Sequence, residues 1–140
     1  MMESNMIIFT DGAARGNPGP AAIGAVISDK RGKPIASISQ CLGTTTNNQA
    51  EYRAIIAALE KAIGLGARQV VLHSDSELAV KQINGAYRVK NEALKPLYQQ
   101  VKRLQARLEK LTIDCIPRER NSAADSLANQ ALDSSPPYCG

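Results

Sequence analysis

The sequence is poor in the residues that hold zinc or form a nucleophilic triad. It has three cysteines, Cys41, Cys115 and Cys139, which lie far apart without a Cys-x-x-Cys pair, and one histidine, His73. A zinc site of thiolates and imidazoles is therefore not expected. A Ser-His-Asp triad would have to use His73, which lies inside an apolar run and is most simply a strand residue. Any metal here must be held by oxygen, which favours magnesium or manganese.

Tryptophan and long apolar runs are also missing. The 140 residues include no Trp, one Phe and four Tyr, and no stretch approaches the ~20 apolar residues of a membrane span. The N-terminus lacks the ordered charged region, apolar stretch and cleavage site of a signal peptide. We therefore expect a cytoplasmic monomer with one domain over residues 1–133 and a mobile tail over 134–140.

Basic residues outnumber acidic ones. The chain has 17 Lys and Arg against 13 Asp and Glu, which gives a net charge of +4. A basic balance favours an anionic partner such as a nucleic acid, but many basic proteins bind none, so charge alone indicates little.

Hydrophobic periodicity and capping signals predict five strands and four helices. We expect strands at 6–10, 21–28, 35–42, 69–74 and 111–116. We expect helices at 46–63, 76–84, 93–110 and 122–132. The first strand is a nearly continuous apolar run, which is typical of a strand buried on both faces. The order βββαβααβα predicts an α/β fold, a five-stranded mixed sheet flanked by helices.

Two acidic residues directly follow apolar strand runs. Asp11 ends the first run and Asp75 ends the fourth, each on a strand face that also carries apolar residues. The carboxyl ends of strands are where the ligand sites of open α/β sheets gather. The alternatives are that Asp11 is only a turn residue before Gly12, and that Asp75 with Ser76 caps the next helix.

Two further acids lie on apolar stripes of helices. Glu51 sits in the first turn of its helix with apolar residues at i+4, i+7, i+8 and i+11, and Asp125 has them at i+3 and i+7. Burying a lone carboxylate costs several kcal/mol unless it is paired or binds a metal. Alternatively, Glu51 complements the helix dipole and Asp125 belongs to a capping box with Ser122. Four converging acids would repel one another, and a divalent cation would offset that repulsion.

Four segments together resemble the motifs of type 1 ribonuclease H. They are Thr10-Asp11-Gly12-Ala13 with Asn17-Pro18-Gly19, Thr46-Asn47-Asn48-Gln49-Ala50-Glu51, Ser74-Asp75-Ser76 with Val80, and Arg118-Glu119-Arg120-Asn121-Ser122-Ala123-Ala124-Asp125-Ser126-Leu127-Ala128. Each motif is weak alone, but four in register on strand or helix ends make a specific signal over roughly residues 6–132. The resemblance implies a ribonuclease H-like fold and cleavage of the RNA strand of an RNA–DNA hybrid.

The resemblance also implies a metal centre. Asp11, Glu51, Asp75 and Asp125 would hold two magnesium ions, for which manganese could substitute, with Asp11 bridging both. Glu51 and Asp75 would sit mainly on one ion and Asp125 on the other. Such a pair of ions activates a water and stabilises the leaving 3′-oxygen, which gives 5′-phosphate and 3′-hydroxyl ends. Setting these four acids aside leaves nine of the 13 acids against 17 basic residues, so the remaining surface carries about +8, which suits a polyanionic duplex.

Contacts to the hybrid follow from the same motifs. The residues implied on the RNA side are Gly12, Ala13, Asn17, Asn47, Asn48 and Gln49, through close backbone approach and through amides that can bond ribose 2′-hydroxyls. Thr46 and Asn91 correspond to a pocket for a phosphate of the DNA strand. The alternatives are a plain N-cap for Thr46 and structural roles for the amides of Asn47 and Asn48.

The chain differs from many members of the family in the residues expected to bind the DNA strand. Many members carry a basic, Trp-rich protrusion, but here the segment 84–91 is short and the chain has no Trp. Tyr87, Arg88 and Lys90 remain to stack on DNA and to neutralise it, so weaker binding is expected. The basic residues of the predicted third helix are interpreted as a solvated face.

A second departure is the missing loop histidine before the fourth acid. Arg118 is expected to act there electrostatically, because a guanidinium can contact a phosphate oxygen and stays charged. The alternative is that Arg118 or Arg120 pairs with Glu119 or only solvates the loop.

Two other functions compete with hybrid cleavage. One is a non-catalytic module that binds hybrid or double-stranded RNA, although such a module gains nothing from a costly acidic cluster. The other is a DNA nuclease of the same fold, which the Asn-rich segment before Glu51 disfavours. Double-stranded RNA also stays open as a side substrate.

Overall fold

The computed structural model describes residues 4–134 and contains five strands and four α-helices. The strands are β1 (Asn5–Ala14), β2 (Gly19–Asp29), β3 (Pro34–Thr45), β4 (Gln69–Ser74) and β5 (Lys110–Cys115). The helices are α1 (Asn47–Gly64), α2 (Glu77–Ile83), α3 (Lys95–Gln105) and α4 (Ser122–Ser134). None of the helices within residues 4–134 combines the length and the hydrophobicity of a membrane span.

The strands form one mixed sheet in the order β3-β2-β1-β4-β5. The central strand β1 runs antiparallel to β2 and parallel to β4, and β5 is parallel to β4. The predicted element order and mixed sheet are confirmed. Because β1 and β4 are parallel neighbours, their carboxyl ends meet at one edge of the sheet.

The two faces of the sheet are covered unequally. Ile8 of β1 and Leu72 of β4 are fully buried in the main core together with Leu59 of α1. Helix α4 packs on the opposite face against β2, β1 and β3. It leaves Phe9 of β1 half-buried and Val71 of β4 36% exposed. The prediction that the first strand is buried on both faces is therefore wrong for its second face.

The third helix is shorter than predicted. It ends at Gln105, and a turn follows in which the amide of Leu108 donates to the carbonyl of Gln105. Leu108 continues the apolar spacing and is buried, but from this turn and not from a helix. Strand β5 already begins at Lys110. Directly before the two strands, the amide of Glu109 donates to the carbonyl of Arg68, which brings the start of β5 next to the start of β4.

The ends of several other elements also differ from the predictions. Strand β1 continues three residues beyond Asp11, because β2 pairs with it as far as Ala14. Arg118–Arg120 form a short 3-10 turn that was not predicted. Ser134 belongs to α4, whereas the rest of the predicted tail, 135–140, lies outside the described residues.

The packing of α4 on the sheet predicts a steric requirement at Gly24. A Cβ at Gly24 would overlap the carbonyl oxygen of Ala124 on α4, whereas a Cβ at Gly64 meets no atom within 4 Å. Gly24→Ala should lower the free energy of unfolding by about 1–3 kcal/mol, because α4 must shift. Gly64→Ala is the matched control and should be neutral or stabilise by up to about 1 kcal/mol. Urea denaturation followed by circular dichroism measures both, and equal stabilities would contradict this account of the contact.

Candidate active site

Four carboxylates from four segments of the fold meet at the carboxyl end of the central strand, on β1, on α1, directly after β4 and on α4. Oxygen atoms of Asp11, Glu51 and Asp75 all lie within 4.8 Å of one another. Asp125 lies beside them, close enough for its side chain to raise the pKa of Asp11. The four acids singled out in the sequence thus lie together in space.

The parallel pairing of β1 and β4 places Asp11 beside Asp75. The last residues that pair between β1 and β4 are Thr10 and Ser74. Asp11 directly follows Thr10, and Asp75 directly follows Ser74. Asp11 is only 5% exposed. The following helix, α2, is capped by Ser76, whose hydroxyl accepts from the amide of Ala79 at 3.2 Å, so Asp75 is not its cap.

Glu51 reaches this edge because β1 and α1 approach closely. The amide of Gly12 donates to Oε1 of Glu51 at 2.7 Å. A Cβ at Gly12 would overlap the carbonyl group of Ala50, so only glycine allows this approach. Helix α1 starts at Asn47 with Thr46 as its N-cap and has no acid in its first turn. The prediction that Glu51 lies in the first turn is therefore wrong, and this weakens the helix-dipole alternative.

Asp125 lies in the first turn of α4 and is held by Asn129 one turn later. The Nδ2 atom of Asn129 donates to the backbone carbonyl of Asp125 at 3.0 Å and to its Oδ1 at 3.2 Å. Arg15, from the β1–β2 connection, donates to Oδ1 of Asn129 at 3.4 Å and pairs with Asp133 at 2.6 Å. Asn129 and Arg15 were not singled out from the sequence, although the i+4 spacing of Asn129 from Asp125 was a usable signal.

Asn121 is a buried residue at the centre of the site. Its Nδ2 atom donates to the carbonyl of Thr10 at 2.8 Å and to Oδ2 of Asp75 at 3.1 Å. In the sequence, Asn121 was only one residue of the fourth motif and was given no role of its own. No periodicity distinguishes it, because its partners lie on β1 and after β4.

The acidic cluster raises the pKa of two of its members. Burial, then the charge of Asp75 and the hydrogen bond and charge of Asp125, raise the pKa of Asp11 to about 8, against the lowering effect of Arg118. Burial and the charges of Asp11 and Asp75 raise the pKa of Glu51 well above its usual value, and the Gly12 amide opposes this. Protein groups alone therefore leave the negative charge poorly compensated.

The donor set fits a divalent cation of the magnesium type. It consists of carboxylate oxygens, which are the ligands that such cations prefer, and no histidine or cysteine belongs to the described cluster. Asp11, Glu51 and Asp75 are the residues that could hold the cation, with Asp125 beside them. A bound cation would also offset the repulsion that raises the two pKa values.

The acids open into a polar cavity of about 380 Å³. Five residues predicted as substrate contacts or as a catalytic residue also line it: Gly12, Ala13, Asn47, Asn48 and Arg118. Four lining residues were not predicted: Ala14, Arg15, Ser76 and Asn129. The cavity thus combines carboxylates, amides and two guanidinium groups.

Three other predicted contacts lie around this cavity and do not line it. The Oδ1 atom of Asn17 accepts from the amide of Asn47 at 3.1 Å, which ties the β1–β2 connection to the start of α1. The hydroxyl of Thr46 accepts from the amide of Gln49 at 3.2 Å as a helix cap. The side chain of Gln49 bonds the hydroxyl of Thr45. The cap bond supports the N-cap alternative for Thr46, and the bond from the amide of Ala14 to Oδ1 of Asn47 at 2.9 Å supports the structural alternative for Asn47.

The predicted DNA-side residues lie in the α2–α3 connection, apart from the acids. Tyr87, 45% exposed, and Arg88 line a separate groove of about 370 Å³ with Lys95 and Tyr98 of α3. Lys90 and Asn91 line neither cavity. Oδ1 of Asn91 accepts from the amides of Ala93 and Leu94 at 2.8 and 3.3 Å, which organises the chain before α3.

Arg118 and Arg120 lie on different sides of the short turn after β5. Arg118 lines the acidic cavity, whereas Arg120 lines a pocket with Phe9, His73 and Ile116 on the less covered sheet face. Within residues 4–134, neither arginine forms an ion pair with Glu119. The ring of His73 packs against Phe9 at 4.9 Å between centroids, as befits a strand residue.

Comparison with known proteins gives consistent matches. A family model described as reverse transcriptase-like matches residues 9–131. The bifunctional protein Rv2228c of Mycobacterium tuberculosis is 42% identical over 129 residues, which are 91% of this chain and 35% of that protein. Ribonuclease HI of Halobacterium salinarum is 42% identical over 125 residues, 89% of this chain and 63% of that protein. The chain thus spans about a third of the first relative and less than two thirds of the second.

Two solved structures share the whole fold. RNase H1 from Halobacterium salinarum superposes with a TM-score of 0.91 at 41% identity, covering 93% of this chain and 98% of that one. LC11-RNase H1, isolated from compost by a metagenomic approach, was solved in complex with an RNA/DNA hybrid. It superposes with a TM-score of 0.89 at 44% identity, covering 93% and 98% of the two chains.

The raised pKa of Asp11 predicts how the metal-free protein responds to pH. In the unfolded chain this carboxyl ionises near 3.8, but in the folded protein it stays protonated up to about 8. The unfolded state therefore loses its proton first, and the free energy of unfolding should fall between these values by up to about 1.4 kcal/mol per pH unit. Asp11→Asn should flatten this slope in EDTA, while Asp114→Asn on exposed β5 should not. Equal slopes in both variants, measured by urea denaturation from pH 4 to 8, would argue against the cluster as its source.

Proposed function

This chain belongs to the reverse transcriptase-like family and, within it, to type 1 ribonuclease H, and from this we propose that it hydrolyses the RNA strand of RNA–DNA hybrids. The observation that carries the proposal is the cluster of Asp11, Glu51 and Asp75, with carboxylate oxygens within 4.8 Å of one another. Asp125 lines the same cavity beside them. The solved complex of LC11-RNase H1 with an RNA/DNA hybrid supports the choice of substrate.

We propose that the four acids hold two magnesium ions, with manganese as a substitute. Bound ions of this kind polarise a phosphodiester, lower the pKa of a water and stabilise the leaving oxygen, which gives 5′-phosphate and 3′-hydroxyl ends. The four carboxylates come from different segments of the fold. The packing of these segments therefore determines where a bound cation would lie. Gly12 contributes by its amide, which holds Oε1 of Glu51 in place.

The polar cavity is proposed to select RNA over DNA as the strand that is cut. The backbone at Gly12 and Ala13 is open to close approach by a sugar, because neither residue carries a large side chain. The amides of Asn47 and Asn48, which line the same cavity, can donate to and accept from ribose 2′-hydroxyls. Asn17 and Gln49 are proposed as further contacts to the RNA strand. A binding site of this kind distinguishes RNA from DNA at the strand that is cut.

The groove between the α2–α3 connection and α3 is proposed to bind the DNA strand. Tyr87 offers a ring for stacking, and Arg88 and Lys90 offer positive charge. Thr46 and Asn91 are proposed to bind a phosphate of the same strand. With no tryptophan in the chain, binding here depends on few groups.

Arg118 is proposed to stabilise charge on the scissile phosphate. It lines the acidic cavity and opposes the raised pKa of Asp11, so its guanidinium acts on the cluster electrostatically. It cannot act as a general base because it stays protonated. A cytoplasmic location, a monomeric state and a single domain over residues 1–133 stay predictions from the sequence.

Cleavage assays on labelled duplexes test the proposed function. With magnesium, the protein should cut the RNA of a hybrid and leave 5′-phosphate and 3′-hydroxyl ends. Asp11→Asn, Glu51→Gln and Asp75→Asn should each abolish cleavage and keep the fold, whereas Asp114→Asn should cleave normally. Binding without cleavage would indicate a binding module, and cutting of double-stranded DNA a DNA nuclease. A double-stranded RNA substrate in the same series determines whether that duplex is also cut.

Loss of Arg118 should slow turnover without weakening substrate binding. Arg118→Ala should lower kcat by roughly ten- to a thousand-fold, the range for losing one charge-stabilising donor, with hybrid affinity nearly unchanged. Arg120→Ala is the matched control, because Arg120 lines the other pocket. If only Arg120→Ala lost activity, the assignment of the two arginines would be reversed, and if neither did, no arginine of this turn would take part.

Loss of the DNA-side residues should weaken binding more than catalysis. Alanine at Tyr87, Arg88 and Lys90 together should raise KM for the hybrid more than it lowers kcat, and should reduce the salt dependence of binding. Arg31→Ala with Lys33→Ala removes two charges from the β2–β3 turn at the other end of the sheet and serves as the control. Unchanged hybrid binding by the triple variant across a salt series would exclude this groove.

A further inference from the structure

We propose that Asn121 is a positioning residue of the metal centre, which sets the orientation of the Asp75 carboxylate relative to Asp11. The inference rests on the proposed function only in assuming that the acidic cluster binds a divalent cation. Asn121 does not belong to the acidic cluster and does not line the cavity where the substrate is proposed to bind. Its effect on the reaction would therefore be exerted through the acids.

The contacts of Asn121 connect three segments that carry acids. Its Nδ2 atom donates to the carbonyl of Thr10, directly before Asp11, at 2.8 Å and to Oδ2 of Asp75 at 3.1 Å. Its backbone carbonyl accepts from the amide of Asp125 at 3.1 Å. With 1% of its surface exposed, the side chain is effectively out of water. One amide group thus links β1, the residue after β4 and the start of α4.

The environment permits only one orientation of this amide. Both partners of Nδ2 are oxygen acceptors, and each needs a donor. A rotation of the amide by 180° would place Oδ1 of Asn121 against the Thr10 carbonyl and the Asp75 carboxylate, which would repel it. Within residues 4–134, Oδ1 has no hydrogen-bond partner, so no competing bond favours the rotated form. The two donated bonds therefore determine the orientation of the side chain.

This arrangement fixes the plane of the Asp75 carboxylate before a cation binds. The carbonyl of Thr10 lies within the sheet and is rigid, so the bond to Asn121 transfers that rigidity to Asp75. A carboxylate at this position would add a fifth acid to the four of the cluster and increase their repulsion, which the neutral amide of Asn121 avoids. Partners of this kind typically change metal affinity or activity by 10–100-fold when they are removed.

Substitution by aspartate tests the donor with little change in shape. Asn121→Asp replaces the donating nitrogen by an oxygen, which faces Thr10 and Asp75. Asn121→Leu has a similar shape, removes the donor without adding a charge, and should weaken manganese binding in the same direction. Asn84→Asp is the matched control, because Nδ2 of Asn84 also donates to a backbone carbonyl, that of Ile113 at 2.9 Å, away from the cluster. Manganese binding to the metal-free protein is measured by titration calorimetry, and kcat and KM on a hybrid are measured over a range of magnesium concentrations.

We expect Asn121→Asp to bind manganese 10–100-fold more weakly and Asn84→Asp to bind it normally. At low magnesium kcat should fall by a similar factor and recover as magnesium rises, with KM for the hybrid changed less than about three-fold. Circular dichroism of the metal-free variant separates this result from a loss of folded structure, because metal binding also stabilises an unstable folded state. Unchanged manganese affinity in Asn121→Asp would overturn the inference while leaving the proposed function intact. A wild-type protein that neither binds manganese nor cleaves the hybrid would overturn both.

A measurement on the unaltered protein keeps the inference falsifiable if Asn121→Asp does not fold. The side-chain amide resonances of Asn121 and Asn84 are followed by ¹⁵N NMR during a magnesium titration. The Asn121 signal should shift and saturate with the midpoint of metal binding, because its acceptor Asp75 is drawn to the cation, while the Asn84 signal should stay in place. An Asn121 signal that does not move on saturation with magnesium would contradict its proposed role.

Discussion

Repulsion among carboxylates at the end of the central strand is the constraint around which this fold is arranged. Asp11 is almost fully buried and lies within reach of two further acids. A cluster of this kind costs stability unless protons or a cation neutralise it, and its raised pKa values express that cost. The surrounding structure must therefore be rigid enough to keep the acids together when they are charged.

That rigidity comes from backbone geometry more than from long side chains. Parallel pairing of β1 with β4 places two acids side by side. A glycine in β1 allows α1 to approach closely enough for an amide to bond Glu51. Gly24 in β2 similarly allows α4, which carries Asp125, to lie directly on the sheet. All four acids thus depend on contacts in which main chain meets main chain.

Local patterns in the sequence predicted most of the fold and the acids of the site. The order of elements along the chain, the helix number and the convergence of the four acids follow from periodicity, from carboxylates at element ends and from the family resemblance. The errors arose where tertiary contacts override a local pattern. Leu108 keeps helical spacing but is buried from a turn, and Phe9 has the apolar character of a core residue on a face that α4 covers incompletely. Asn121 and Arg15 could not be found locally, because their partners are distant in sequence.

The hydrogen bond between Asn121 and Thr10 joins residues 111 positions apart along the chain. A contact of that span closes a loop of nearly the whole described chain, which is costly in entropy until the intervening segments are ordered. During synthesis the first three acids leave the ribosome long before Asp125 and Asn121. A growing chain would therefore possess an incomplete acidic cluster until its last helix docks. The order of elements along the chain thus delays assembly of the complete acidic cluster until α4 has docked on the sheet.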